Sequence, residues 1–130
     1  MISGDIIEVK VDNIPLIKHY GIIIVKKGNV YVLHNTPILG KPTITSYSNF
    51  LNSRYNPIII KSSLSGKNED FIRKKFLKLN QSPFDIISNN CEHFIDEMLG
   101  NNKHSEQLSK YIIFILLIVF LYSGTKIYNK

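Results

Sequence analysis

Between residues 5 and 34 the apolar positions fall in short, β-branched runs separated by turn residues, which is the period of strands rather than helices. Asp5-Ile6-Ile7-Glu8-Val9-Lys10-Val11 predicts a strand that stops at the turn signal Asp12-Asn13-Ile14-Pro15. The runs His19 to Val25 and Val30 to His34 then flank Lys26-Lys27-Gly28-Asn29, and this spacing predicts a β-hairpin. Residues 35–56 are rich in Asn, Thr, Ser, Pro and Gly and have no helical period, so they are expected to be mostly loop, with room for one short strand. Pro57 to Lys61 predicts another strand. The period then changes. Ser65-Gly66-Lys67-Asn68 supplies helix-start chemistry, Glu69 and Asp70 favour the first turn, and Phe71, Ile72, Phe76, Leu77 and Leu79 form one apolar stripe, predicting an amphipathic helix that ends near Asn80. After Ser82-Pro83, a short strand over Phe84 to Ile87 is expected. Ser88-Asn89-Asn90 then offer N-caps for a second helix from about Cys91 to Leu99, closed by Gly100.

Beyond residue 110 the periodicity disappears. YIIFILLIVFLYSGT, from Tyr111 to Thr125, has no charge and is bracketed by Lys110 and Lys126. Fifteen residues are fewer than the roughly 20 of a usual transmembrane helix, but lysines at both ends can snorkel and let Leu108 to Ile127 cross a thin bilayer. A run apolar on every face is expected to be a membrane anchor, since a domain of this size can hardly wrap it. Asp5 and Glu8 interrupt the N-terminus where a signal peptide needs an apolar stretch, so a cytosolic domain on a C-terminal tail anchor is expected. The expected divisions are residues 1–100 as the folded domain, 101–109 as a polar linker and 110–127 as the anchor.

Charge and composition narrow the chemistry. The formal charge of +6 is spread over scattered Lys and Arg, so a bilayer is the expected partner and nucleic acid is not. With a single cysteine there is no internal disulfide and no Cys-rich zinc site, and no histidine spacing suggests a metal. Cys91 is then either inert or reactive. At the first turn of its predicted helix, unpaired backbone N–H groups and the helix dipole favour a thiolate and can hold an oxyanion. Its base must be His19, His34, His93 or His104. His93 is two residues along the same helix and should face away, into a structural role, and His104 falls in the polar linker. A two- or four-residue hairpin loop places His34 opposite Gly21 with His19 as its diagonal neighbour, both on one face, whereas a three-residue loop without a bulge separates them.

Asn90-Cys91-Glu92-His93-Phe94 resembles the NCEHF signature of the lecithin:retinol acyltransferase-like proteins, a branch of the NlpC/P60 superfamily. Ser3-Gly4-Asp5-Ile6-Ile7-Glu8 resembles the family's opening PGDLIE, His19-Tyr20-Gly21-Ile22 its HYGIY strand, and Tyr31-Val32-Leu33-His34 its YVxH strand. The tail is similar to that of its phospholipase A/acyltransferase members. The resemblance implies an α+β, circularly permuted papain-like fold, an antiparallel sheet packed with helices, followed by the transmembrane helix. It also implies Cys91 as nucleophile, His19 as base and His34 as third polar residue. Tyr20, where the family more often has Trp, is expected at the substrate. The implied reaction passes a phospholipid acyl group through a Cys91 thioester to water or another acceptor, with no cofactor. Residues between His34 and Phe71 resemble no part of the family. A thiol peptidase or amidase of the wider superfamily, and a non-catalytic membrane module, are the competing expectations.

Overall fold

The computed structural model describes residues 1–11, 14–52, 56–79 and 82–128. Five strands make one antiparallel sheet: β1 (Ile6–Val11), β2 (Ile14–Lys26), β3 (Asn29–Asn35), β4 (Pro42–Ser46) and β5 (Ile58–Ile60), ordered β4-β3-β2-β1-β5. Four helices accompany them among the described residues: α1 (Tyr47–Leu51), α2 (Glu69–Lys78), α3 (Cys91–Leu99) and α4 (Glu106–Tyr128). The protein is thus α+β, with one apolar C-terminal helix.

Alternation along the strands divides the core in two. Ile6, Ile22, Ile24 and Leu33 point to the side where α2 and α3 supply Ile72, Phe76, Phe94, Ile95 and Met98. Ile7, Val9, Ile23 and Val32 point to the other side, closed by Phe50 of α1. A one-residue slip would exchange these sets, so the register is held by burial on both faces. Truncating a fully buried side chain such as Met98 to Ala costs roughly 2 to 5 kcal/mol in cores of this kind.

The hairpin turn is tight. Lys26 pairs with Asn29, leaving Lys27 and Gly28 as a two-residue loop at φ 49° and 78°, the left-handed conformation that such a turn requires at both central positions. Capping follows the sequence: Asn68 begins α2, Asn90 begins α3 and Gly100 ends it at φ 80°.

Three expectations are changed. The segment 35–56, expected as mostly loop, contains both β4 and α1, the latter capped by Ser46 Oγ accepting from Asn49 N–H. In place of a strand over Phe84 to Ile87, a turn at 86–88 is closed by an isolated bridge between Asp85 and Asn89. Asp85 Oδ1 accepts from the N–H groups of Ile87 and Ser88 and from the Ser88 hydroxyl, and this local bonding outcompetes an extended run. The terminal helix begins at Glu106, inside the expected linker, and its 23 residues span about 35 Å at 1.5 Å per residue, enough for a hydrocarbon core of about 30 Å. Glu106 to Ser123 is long and apolar enough to cross a membrane; Gln107 to Ser109 and Tyr111 are half-buried, and the side chains from Ile112 to Tyr122 are exposed. Of the expected turn Asp12-Asn13-Ile14-Pro15, the first two lie outside the described residues, as does Asn80, and Ile14 and Pro15 begin β2 instead; α2 ends at Lys78, close to its expected end.

Candidate active site

Because the hairpin loop has two residues, Val25 pairs with Val30 and Gly21 with His34, and His19 lies diagonally across from His34. Both imidazoles are buried on the Phe50 side of the sheet. His19 Nε2 is 2.9 Å from His34 Nδ1, and His34 Nε2 is 3.1 Å from Thr45 Oγ1 on β4. The ring of Phe50 stacks on His19 at 5.2 Å between centroids and meets His34 edge-on at 5.1 Å. Gly21 makes the room: a Cβ there would lie 2.3 Å from Val32 Cγ1 and 3.2 Å from Phe50 Cε2.

Cys91 is brought to this point by asparagines. The side-chain amide of Asn35, at the end of β3, donates to the Asn89 carbonyl at 2.7 Å, tying the strand to the loop before α3. Asn90 Oδ1 accepts from Glu92 and His93 N–H, and the Asn90 N–H donates to His93 Nδ1 at 3.3 Å, a reciprocal capping box. Pairing between β2 and β3 stops at Gly21 and His34, which opens the edge of β2 beyond it. The Cys91 sulfur sits at that opening, 3.9 Å from the Lys18 carbonyl and bonded by the Tyr20 N–H, the two backbone groups flanking His19.

The electrostatics overturn one expectation. Burial pushes the Cys91 thiol up to about 11, although N–H groups of Tyr20, Glu92 and Cys91 itself oppose the shift, and the neighbouring Glu92 carboxylate raises it further. Desolvation thus outweighs the helix start and favours the protonated thiol at rest. Two N–H groups expected to hold an oxyanion are already taken by Asn90.

His93 serves α3 rather than Cys91. Burial lowers its pKa, which suits an imidazole that must keep Nδ1 unprotonated to accept from Asn90. His104 is exposed, its N–H donating to Asp96. The ring of Tyr20 packs against the α2–α3 side of the sheet, on the face opposite His19, and its hydroxyl is bonded to Glu8. Desolvation, then Glu8, raises its pKa. Tyr20 lines a hollow of about 490 Å³ with Lys18, Glu92 and Gln107, while Cys91 and His19 line another of about 580 Å³. What Tyr20 gives Cys91 is its backbone N–H.

The first turns of α4 belong to the site, and local sequence did not reveal them. Gln107 pairs with the open edge of β2, accepting from Lys18 N–H at 2.7 Å and donating to the Lys18 carbonyl at 3.1 Å. Ser105 donates to Glu92 and accepts from Asn90 and from Leu108 N–H. Tyr111 lines both hollows, its hydroxyl buried without a hydrogen-bond partner. Thr45 was also missed, because its segment was expected to be mostly loop and the one short strand allowed there was not placed.

The larger hollow runs from Cys91 and His19 outward between Phe84, Ile86 and Ile38 to Leu108, Ile112 and Ile115 of α4. Its volume is that of a small-molecule site. Among the described residues, no three metal-ligating side chains converge. A buried thiol that lines the same cavity as an imidazole, one nitrogen of which is held by a second imidazole, has the parts of nucleophile, base and orienter. No protein-family model, curated protein or solved structure matches the chain.

Proposed function

We propose that the protein transfers or hydrolyses the acyl groups of phospholipids through a thioester on Cys91. The observation that carries the reading is the shared cavity: Cys91 and His19 stand in one wall, His34 orients His19, and the cavity continues along an apolar helix long enough to cross a bilayer. With His19 Nε2 engaged by His34, Nδ1 is the nitrogen that serves the sulfur. For Nδ1 to accept a proton, Nε2 must carry one and donate to His34 Nδ1. His34 then donates from Nε2 to Thr45.

In the reaction the Cys91 proton passes to His19 as the sulfur attacks the ester carbonyl carbon. The C–S bond forms, the C–O bond to the lysolipid breaks, and the His19 proton goes to the leaving oxygen. Water or another acceptor then gives its proton to His19, attacks the thioester and releases Cys91 as the thiol. Because the resting sulfur is protonated, attack and proton transfer occur together, the work of a general base. The proposed fold is the circularly permuted papain-like one, supported by a cysteine-bearing helix that follows two histidine-bearing strands. The proposed location is a membrane surface, with α4 as a tail anchor.

The test is to incubate the full chain in vesicles with a labelled-acyl phospholipid and to look for a hydroxylamine-sensitive adduct on Cys91. The burial that raises the thiol also favours a second reading, a non-catalytic membrane module. Under that reading no adduct forms, and Cys91→Ala leaves the protein's effect on membranes intact.

A further inference from the structure

Two loops beside the cavity expose aliphatic side chains to an unusual degree. In the loop after β3, Ile38 is 82% and Leu39 47% exposed; in the loop before α3, Ile86 and Ile87 are each 67% exposed. Single exposed aliphatics are ordinary, whereas a cluster marks a contact surface. These four are clustered. The loops are tied by a 2.8 Å hydrogen bond from Phe84 N–H to the Gly40 carbonyl, and Ile38 and Ile86 line the same cavity.

Two further observations say what covers them. The far wall of that cavity is α4 itself, at Leu108, Tyr111, Ile112 and Ile115. Lys110 is the last charge before the apolar run, and Ile115 lies about 7.5 Å beyond it along the helix at 1.5 Å per residue. That depth falls within the roughly 5 to 10 Å by which interfacial segments enter the boundary between headgroups and acyl chains. Cys91 and His19 stand at one end of this cavity and Leu108, Ile112 and Ile115 run along its side, so its occupant should carry a reactive polar group at one end of an apolar body. An ester-headed acyl chain has that form.

We propose that the two loop tips insert into the bilayer beside α4, so that the cavity opens directly to lipid and receives one fatty acyl chain, its ester near Cys91. This inference rests on the membrane-anchored reading above and adds the entry route and the chain site. The substrate would then pass from bilayer to sulfur without crossing water.

The chain contains no tryptophan, so single Trp variants report depth without background. Full-length Ile38→Trp and Ile86→Trp, each in phosphatidylcholine vesicles, are compared with and without bromine near the top of the acyl chains. Ile118→Trp on α4 marks the bilayer. Asn29→Trp marks the hairpin tip, about 26 Å along β2 from the Lys18 contact with α4 at 3.3 Å per residue. The expected result is blue-shifted emission and loss of signal to bromine at Ile38→Trp and Ile86→Trp, with Asn29→Trp unchanged. Leu39→Trp and Ile87→Trp repeat the measurement at side chains outside the cavity lining. Loop variants as unquenched as Asn29→Trp, with Ile118→Trp quenched, overturn the inference. An unquenched Ile118→Trp overturns the anchored reading and this inference with it. Neither readout requires turnover, so quenched loops with no acyl adduct on Cys91 would refute the chemistry and leave the lipid site standing.

Discussion

His19 and His34 meet through their ring nitrogens, Nε2 to Nδ1 at 2.9 Å, on neighbouring strands whose register a two-residue turn fixes. Both rings are closed in by Phe50. A hydrogen bond between two buried imidazoles sets the tautomer of each, and Thr45 at the far end completes a line of three residues from one strand to the next. The line is directional only when His19 offers Nδ1 as an acceptor.

Removing the two histidines should therefore have unequal effects. His19→Ala removes the base and should abolish acylation, a loss of roughly a hundredfold to ten-thousandfold for a general base. His34→Asn should leave a larger residual rate than His19→Ala, because His19 remains but its tautomer is no longer set. Acylation rates measured with folding monitored by circular dichroism check this. Equal losses would show that His34 does more than orient.

The resting thiol gives a pH prediction. Its pKa is raised to about 11, so alkylation of Cys91 by a small haloacetamide should be slow at pH 7 and keep rising above pH 9. A rate already at its plateau near pH 6 would instead indicate a resting thiolate–imidazolium pair and contradict the proton-transfer account.

His93 should matter for stability rather than chemistry. Its folded pKa lies below the ordinary 6.5, so the unfolded chain takes up this proton first as pH falls. The stability it contributes is present above about pH 6.5 and is lost as pH drops below it. His93→Gln keeps an acceptor for the Asn90 N–H and should remove part of that acid sensitivity with acylation retained. His93→Ala should lose the capping box, worth about 1 kcal/mol. Denaturant unfolding at pH 7 and pH 5 measures both. Abolished acylation in His93→Gln would return His93 to the reaction.

Much of this arrangement was legible in the sequence, for local reasons. The hairpin follows from the turn residues Lys26-Lys27-Gly28-Asn29, although the loop length that sets its register was left open, and the start and end of α3 follow from Asn90 and Gly100. Sorting His93 away from Cys91 needed only helix geometry. What escaped is set by distant parts of the chain. Thr45 and Phe50 lie in a polar segment whose β4 and α1 are stabilised by β3. Gln107 reaches Lys18 across 89 residues. The thiol's direction of shift was missed because burial is a property of the packed molecule, and here desolvation outweighs the helix start.

The tail should act as anchor and cavity wall together. Deleting Tyr111 to Lys130 should release the protein from membranes, checked by flotation after a high-salt wash, and should also remove the cavity lining at Tyr111, Ile112 and Ile115. Retention on membranes after deletion would place the anchoring surface elsewhere on the molecule.

The central claim is that Cys91 carries the acyl group, and the most direct measurement is intact-mass and peptide mapping of the full chain after exposure to labelled phospholipid in vesicles. The account predicts one hydroxylamine-sensitive acyl group on Cys91, absent in Cys91→Ser and in His19→Ala. An unmodified Cys91 in every lipid presentation, with the protein folded and membrane-bound, would contradict it.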